Sequence, residues 1–144
     1  MTPAGSRGAV VIDTTVYGAE LHRPSPLADL YRPMLEGRPA IISFQTVAEL
    51  HYGARRRAWG PRRMEELEER VDRAEIVWPG PELLDEYVAL RIRCERAGHA
   101  LGQREHDADR WIAATASWLG VPLMAHDGIF RNTPGLVFET ALDS

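Results

Sequence analysis

The chain has no lysine: all 17 of its basic residues are arginine. Arginine's planar fork suits phosphate, yet a GC-rich genome replaces lysine codons by arginine codons everywhere, and the abundant alanine and glycine agree with that simpler origin. The bias by itself carries no functional weight. Only one cysteine, Cys94, is present, which excludes an internal disulfide and fits a reducing compartment. No apolar run approaches the roughly 20 residues that cross a bilayer, so no membrane association is expected. Residues 1–7 lack the apolar stretch and cleavage site of a secretory signal, and the expected location is cytoplasmic. Repeats, low-complexity tracts and interdomain linkers are missing too, so residues 1–144 read as a single domain large enough to bury its own core. A formal net charge of -4 gives no whole-molecule attraction to nucleic acid or anionic lipid, but it leaves room for local basic clusters.

What the chain does have is alternation. Gly8-Ala9-Val10-Val11-Ile12 and Ala40-Ile41-Ile42 are continuous apolar runs, the pattern of strands buried on both faces of a parallel sheet. Residues 74–78 read as a weaker strand, 120–125 as a fourth, and 136–138 as a short last one. Helical patterns separate them: one from Thr14 or Thr15 through Leu21, one from Leu27 to Leu35 that Pro33 should kink, and one opened by Ser43 or Thr46. Further helices carry Met64, Leu67 and Val71, then Leu83 to Cys94, then Ile112 to Leu119, while residues 99–105 read as a polar loop. The expected fold is therefore α/β, a three-layer α/β/α domain around a central, mostly parallel sheet.

Three acids follow strands: Asp13 after the first, Glu49 in the early turns after the second, Asp127 after the fourth. In open parallel sheets the carboxyl ends of the strands form the binding crevice. Asp109 shares a helix face with Ile112, Ala113 and Ala116, so its carboxylate faces the protein. Each acid also has a structural reading. Asp13 and Asp107 suit helix caps, and Thr46-x-x-Glu49 matches a capping box unless the helix starts at Ser43. Four carboxylates gathered without a cation repel one another and raise their pKa values. A hard divalent cation resolves the conflict, and an all-oxygen set favours Mg²⁺ or Mn²⁺, whose chemistry cuts phosphodiesters. Arg55, Arg56, Arg57, Arg62 and Arg63 flank Trp59. They form either a backbone-tracking, base-stacking surface or solvated helix ends.

These motifs resemble those of the PIN-domain ribonucleases, and within them the VapC toxins of toxin-antitoxin pairs. Val11-Ile12-Asp13-Thr14-Thr15-Val16 looks like the first family motif, Val47-Ala48-Glu49-Leu50-x-x-Gly53 the second, Asp109-x-x-Ile112-Ala113-Ala114-x-Ala116 the third and Asp127-x-x-Phe130 the fourth. The resemblance covers nearly the whole chain and implies metal-binding, catalytic roles for Asp13, Glu49, Asp109 and Asp127, with Asp107 either supporting those acids from behind or capping its helix. It further implies a Mg²⁺- or Mn²⁺-dependent endoribonuclease that cuts structured RNA and blocks translation, a VapB-like antitoxin partner and a homodimer. The arginines at 55–57, 62 and 63 are the candidates for RNA or antitoxin contacts. The chain departs from the family pattern at Ala125, where Thr or Ser is frequent, and at Ile129, where a further acid is frequent. Those departures define the competing expectation, a catalytically silent PIN-fold module that binds antitoxin or RNA without cleavage. Aspartyl-nucleophile phosphatases also begin with strand, Asp and Thr, but they need a second Asp where this chain has Thr15.

Overall fold

The computed structural model describes residues 8–22 and 24–143; the N-terminal stretch in which no leader was recognised lies outside them. Five strands, β1 (Val10–Ile12), β2 (Ala40–Ser43), β3 (Glu75–Val77), β4 (Leu123–Met124) and β5 (Phe138–Glu139), form one sheet in the order β3-β2-β1-β4-β5. Every pairing is parallel, and Val11 stands opposite Ile41 on one side and Leu123 on the other. Because successive strand residues face opposite ways, each strand feeds two cores. Val11 and Leu123 join Leu90, Cys94, Leu101, Ile112 and Ala116 on one face, while Val10, Ile12 and Met124 join Val16, Tyr31 and Ala141 on the other. Helices α1 (Thr14–Ala19) and α2 (Pro26–Leu35) supply the second core. Helix α3 (Phe44–Arg56) contacts α1 and α6 (Asp107–Leu119), and α5 (Pro81–Arg96) packs with α6 over the first core. Helix α4 (Pro61–Arg73) buries only Leu67. The three-layer α/β/α architecture is the expected one, and its sheet is wholly parallel.

Local chemistry explains the boundaries. Ser25 accepts a hydrogen bond from the Ala28 amide at 3.1 Å and Pro26 fills the first helical position of α2. That helix continues through Pro33 and stops two residues later, where Gly37 takes φ 73°. Ser43, not Thr46, opens α3, accepting from the Gln45 amide at 3.1 Å.

Three expectations change. The strand expected over 120–125 pairs only at Leu123–Met124, because Gly120, at φ 69°, is spent on ending α6. The last strand lies at Phe138–Glu139 instead of 136–138, and the buried Arg38 guanidinium holds both Glu139 carboxylate oxygens at 3.0 Å. Residues 99–105 are not a polar loop but two 3-10 turns, Ala100–Gly102 and Arg104–His106, with Leu101 fully buried. Gly102 passes so close to α5 that a Cβ there would stand 2.8 Å from the Glu95 nitrogen. Among the described residues no helix is long and apolar enough to cross a membrane.

Candidate active site

The sheet order places a topological switch at β1, whose chain continues to β2 on one side while β4 lies on the other. Crevices open at the carboxyl ends of strands at such points, and the acids collect there. Asp13, 5% exposed, leaves β1 and caps α1: its Oδ1 accepts from the Val16 amide at 2.9 Å. Asp127 leaves β4, is exposed, and accepts from the Ile129 amide at 2.9 Å. Because α3 begins at Ser43, Glu49 is released from any capping box, and its carboxylate takes the Gln45 side-chain amide at 3.1 Å. Asp109 projects half-buried from the first turns of α6. Thr14 and Thr46 tie α1 to α3 beside these acids through hydroxyls 3.0 Å apart.

Electrostatics couples the four. Burial pushes the Asp13 carboxyl up to about 6; amides of Val16 and His126 oppose the rise, and the charges of Asp127 and Asp109 add to it. Asp109 is also raised, first by burial, then by Asp127 and Glu49. Only the imidazole of His106, 3.7 Å from the Asp109 carboxylate, works the other way there. Burying carboxylates together without a guanidinium partner is costly, and a cation relieves it. Among the described residues no three carboxylate, imidazole or thiol groups converge tightly enough to hold one ion between them. Mg²⁺ commonly takes only one or two carboxylates and keeps its waters, so the all-oxygen donor set fits a hydrated hard cation better than a closed protein cage.

Of the groups behind the acids only Asp107 was expected, and the arginine it serves was not. Arg110, next to Asp109, is fully buried. One of its terminal nitrogens donates to the carbonyls of Leu101 and Gln103 at 2.7 and 2.9 Å, the other to the Tyr87 hydroxyl and the Asp107 carboxylate, both at 3.0 Å. Asp107 also accepts from the Tyr87 hydroxyl. It therefore pairs with Arg110 instead of capping α6, whose cap position is His106. The Asp-x-x-Arg spacing was the available signal, since residues three apart share a helix face. Tyr31 braces the far side: its hydroxyl lies 2.7 Å from the His126 Nδ1, donates to the Ala125 carbonyl at 3.2 Å and accepts from the Ala141 amide at 3.1 Å. Ala125, where a hydroxyl is frequent in the resembled pattern, is packed in the core.

The PIN domain family model matches residues 10–136. The chain belongs to the PIN-domain family. Solved structures agree on the fold of this PIN domain. It is similar to a chain of VapBC2 from Rickettsia felis, bound to a DNA fragment from their promoter, at 21% identity and a TM-score of 0.73, covering 92% of this chain and 98% of that one. A chain of DNA-bound VapBC from Salmonella typhimurium gives 21% identity, a TM-score of 0.72 and coverage of 93% and 98%. VapBC-5 from Mycobacterium tuberculosis, a member of the VapBC family of toxin-antitoxin systems, gives 22% identity, a TM-score of 0.61 and coverage of 92% and 96%. No curated protein matches the chain in sequence. In this PIN domain three arginines of the cluster have local partners of different kinds. Arg56 donates to the exposed Tyr52 hydroxyl at 3.1 Å, Arg62 lies 3.9 Å from Glu66, and the Arg63 guanidinium stacks 3.8 Å over Trp59.

Proposed function

We propose that this PIN domain, taken as residues 1–144, is the toxin of a VapBC-type toxin-antitoxin pair and a divalent-metal-dependent endoribonuclease. The observation that carries the reading is that Asp13 and Asp127 leave the carboxyl ends of the paired strands β1 and β4, with Asp109 of α6 and Glu49 of α3 in the same field of negative charge and burial raising the carboxyls of Asp13 and Asp109. Asp13, Asp109, Glu49 and Asp127 are the groups that would hold Mg²⁺ or Mn²⁺. Such an ion, when bound, supplies Lewis acidity toward a phosphoryl oxygen and the attacking water. Asp13, which accepts from the Val16 amide, is the most buried of the set. Asp109 stands one residue before the Arg110 staple at the start of α6. Exposed Asp127 and half-buried Glu49 line the solvent side, where an RNA backbone enters. Similarity to chains of VapBC complexes supports a VapB-like antitoxin partner and a cytoplasmic location. The exposed stripe of Leu84, Val88 and Ile92 along α5 supports a homodimer.

The test is cleavage of total bacterial RNA by the purified, antitoxin-free protein with Mg²⁺, Mn²⁺ or EDTA, beside Asp13→Asn and Asp109→Asn. Discrete cuts that need metal and vanish in both variants are expected. A folded protein that cuts nothing with either metal would instead be the silent binding module suggested by Ala125 and Ile129.

A further inference from the structure

A groove of about 460 Å³ runs beside the acids, walled by α1, the 3-10 turn Glu20–His22 and α3. Along α3 it is lined by Glu49, Leu50, Gly53, Ala54 and Arg57, the i, i+4, i+8 face of a helix, so it extends about 12 Å from the acid end to Arg57. Its chemistry changes along that length. Glu49 and Thr14 open it onto the carboxylates, Leu21, Leu27 and Leu50 make an apolar middle, and Trp59, His22 and Arg57 close the far end. Arg63 covers the Trp59 ring at 3.8 Å and His22 meets it edge-on at 5.6 Å. Burial, Arg63 and Arg57 together lower the His22 pKa, so the end wall carries the arginine charges and a neutral imidazole at pH 7.

Gly53 adds an independent observation. A glycine inside a helix costs about 1 kcal/mol relative to alanine, and here nothing in the fold requires it. An added Cβ would meet only the Arg57 guanidinium, at an ordinary 3.5 Å. Gly18, across the groove, is different: its Cβ would press to 3.3 Å on Leu50, so packing explains it. Gly53 keeps depth in the groove at its midpoint, under an apolar floor that ends on an indole and two guanidinium groups.

That combination suits an unpaired nucleotide. Bases stack on aromatic and apolar surface irrespective of sequence, and arginines take the adjoining phosphate. The volume is that of a small-ligand cleft, and its negative end is where the scissile phosphate would be handled. We propose that the groove is a substrate subsite: the base of a single-stranded nucleotide neighbouring the cleaved phosphate seats over Gly53 and Leu50 against Trp59, and its outer phosphate rests on Arg57 and Arg63. The subsite rests on the ribonuclease reading for its place beside the cut, but not for its affinity.

Fluorescence anisotropy with end-labelled, mixed-sequence single-stranded RNA heptanucleotides in EDTA isolates binding from hydrolysis. Gly53→Leu fills the groove while raising helix propensity, so it should fold with unchanged circular dichroism and bind RNA about tenfold or more weakly. Trp59→Ala should lose a similar factor and Trp59→Phe should restore most of it. Arg63→Gln should flatten the salt dependence by about one unit of slope. Groove-dependent binding without metal-dependent cleavage keeps the subsite and removes the nuclease. Cleavage whose KM is unchanged in Gly53→Leu, RNA affinity equal in the folded Gly53→Leu and parent proteins, or no RNA binding by the parent would each overturn the subsite and leave the groove to a protein partner.

Discussion

Asp109 and Arg110 are neighbours in sequence and opposites in treatment. The arginine is fully buried, and both of its terminal nitrogens are engaged, with two carbonyls, a phenol and a carboxylate as partners. The aspartate, half-buried, faces other carboxylates, with the His106 imidazole 3.7 Å from its own. The fold engages both terminal nitrogens of that guanidinium and leaves only its buried Nε without a partner, so the charge is structural. The other has been left in electrostatic debt, which only something from solution can relieve. Adjacent residues on one helix thus separate a charge that the fold itself engages from one that the proposed function would use.

The contrast breaks most visibly at the acids. Asp13→Asn and Asp109→Asn should each lower metal-dependent RNA cleavage by roughly 10²-fold or more, measured as single-turnover rates. Retention of more than half the activity in either variant would remove that acid from the site. On the structural side, Arg110→Ala should cost about 3–5 kcal/mol, because it leaves carbonyls and Asp107 without their partner and opens a gap between α5 and α6; urea midpoints would register the loss.

The next effect runs in the opposite direction. Asp13 releases its proton near pH 6 in the native protein, against 3.8 for the ordinary group. Between those values the native state holds more protons than the unfolded one, so this residue's contribution to stability falls as pH rises from about 4 to about 6 and stays low above. In EDTA at pH 7.5, Asp13→Asn should therefore be more stable than the parent by up to about 3 kcal/mol, with the asparagine still able to cap α1. Titrating the urea midpoint against pH for both proteins checks the sign, and a destabilised variant would refute it. Adding Mg²⁺ or Mn²⁺ should raise the melting temperature of the parent and not of Asp13→Asn, as binding to the native state alone requires. Smallest of all, Tyr31→Phe should cost about 1 kcal/mol for the lost hydroxyl bonds behind His126.

Much of the fold could be read from the chain because its information is local. Val10-Val11-Ile12 and Ala40-Ile41-Ile42 admit few alternatives to strands buried on both faces, and Ser25 with Pro26 announces a helix start. The acids were legible for a related reason: a charged residue that ends an apolar run must sit at the end of a strand, and parallel strands bring those ends together. The dual nature of Asp13, both cap and site acid, was visible as two competing readings; the structure has it capping α1 and electrostatically coupled to Asp127 and Asp109.

The missed features are those in which distant segments meet. Residues 99–105 look polar in isolation, yet Leu101 is buried and its carbonyl is bound by a guanidinium nine residues on. Gly120 resembles the start of a strand until its positive φ is seen to end α6. Trp59 sits in what looks like an exposed turn, and only the return of the chain against His22 makes it the end wall of a groove.

By itself the sequence determined the α/β class, the largely apolar central strands and the three acids that follow strands, because periodicity and the exclusion of charge from cores act within a few residues. Tertiary structure alone decided that Arg110 is a buried staple, that Asp107 serves it, and that Gly53 opens onto space. Burial and partner choice depend on which surfaces the sheet order brings together, and no local pattern encodes them.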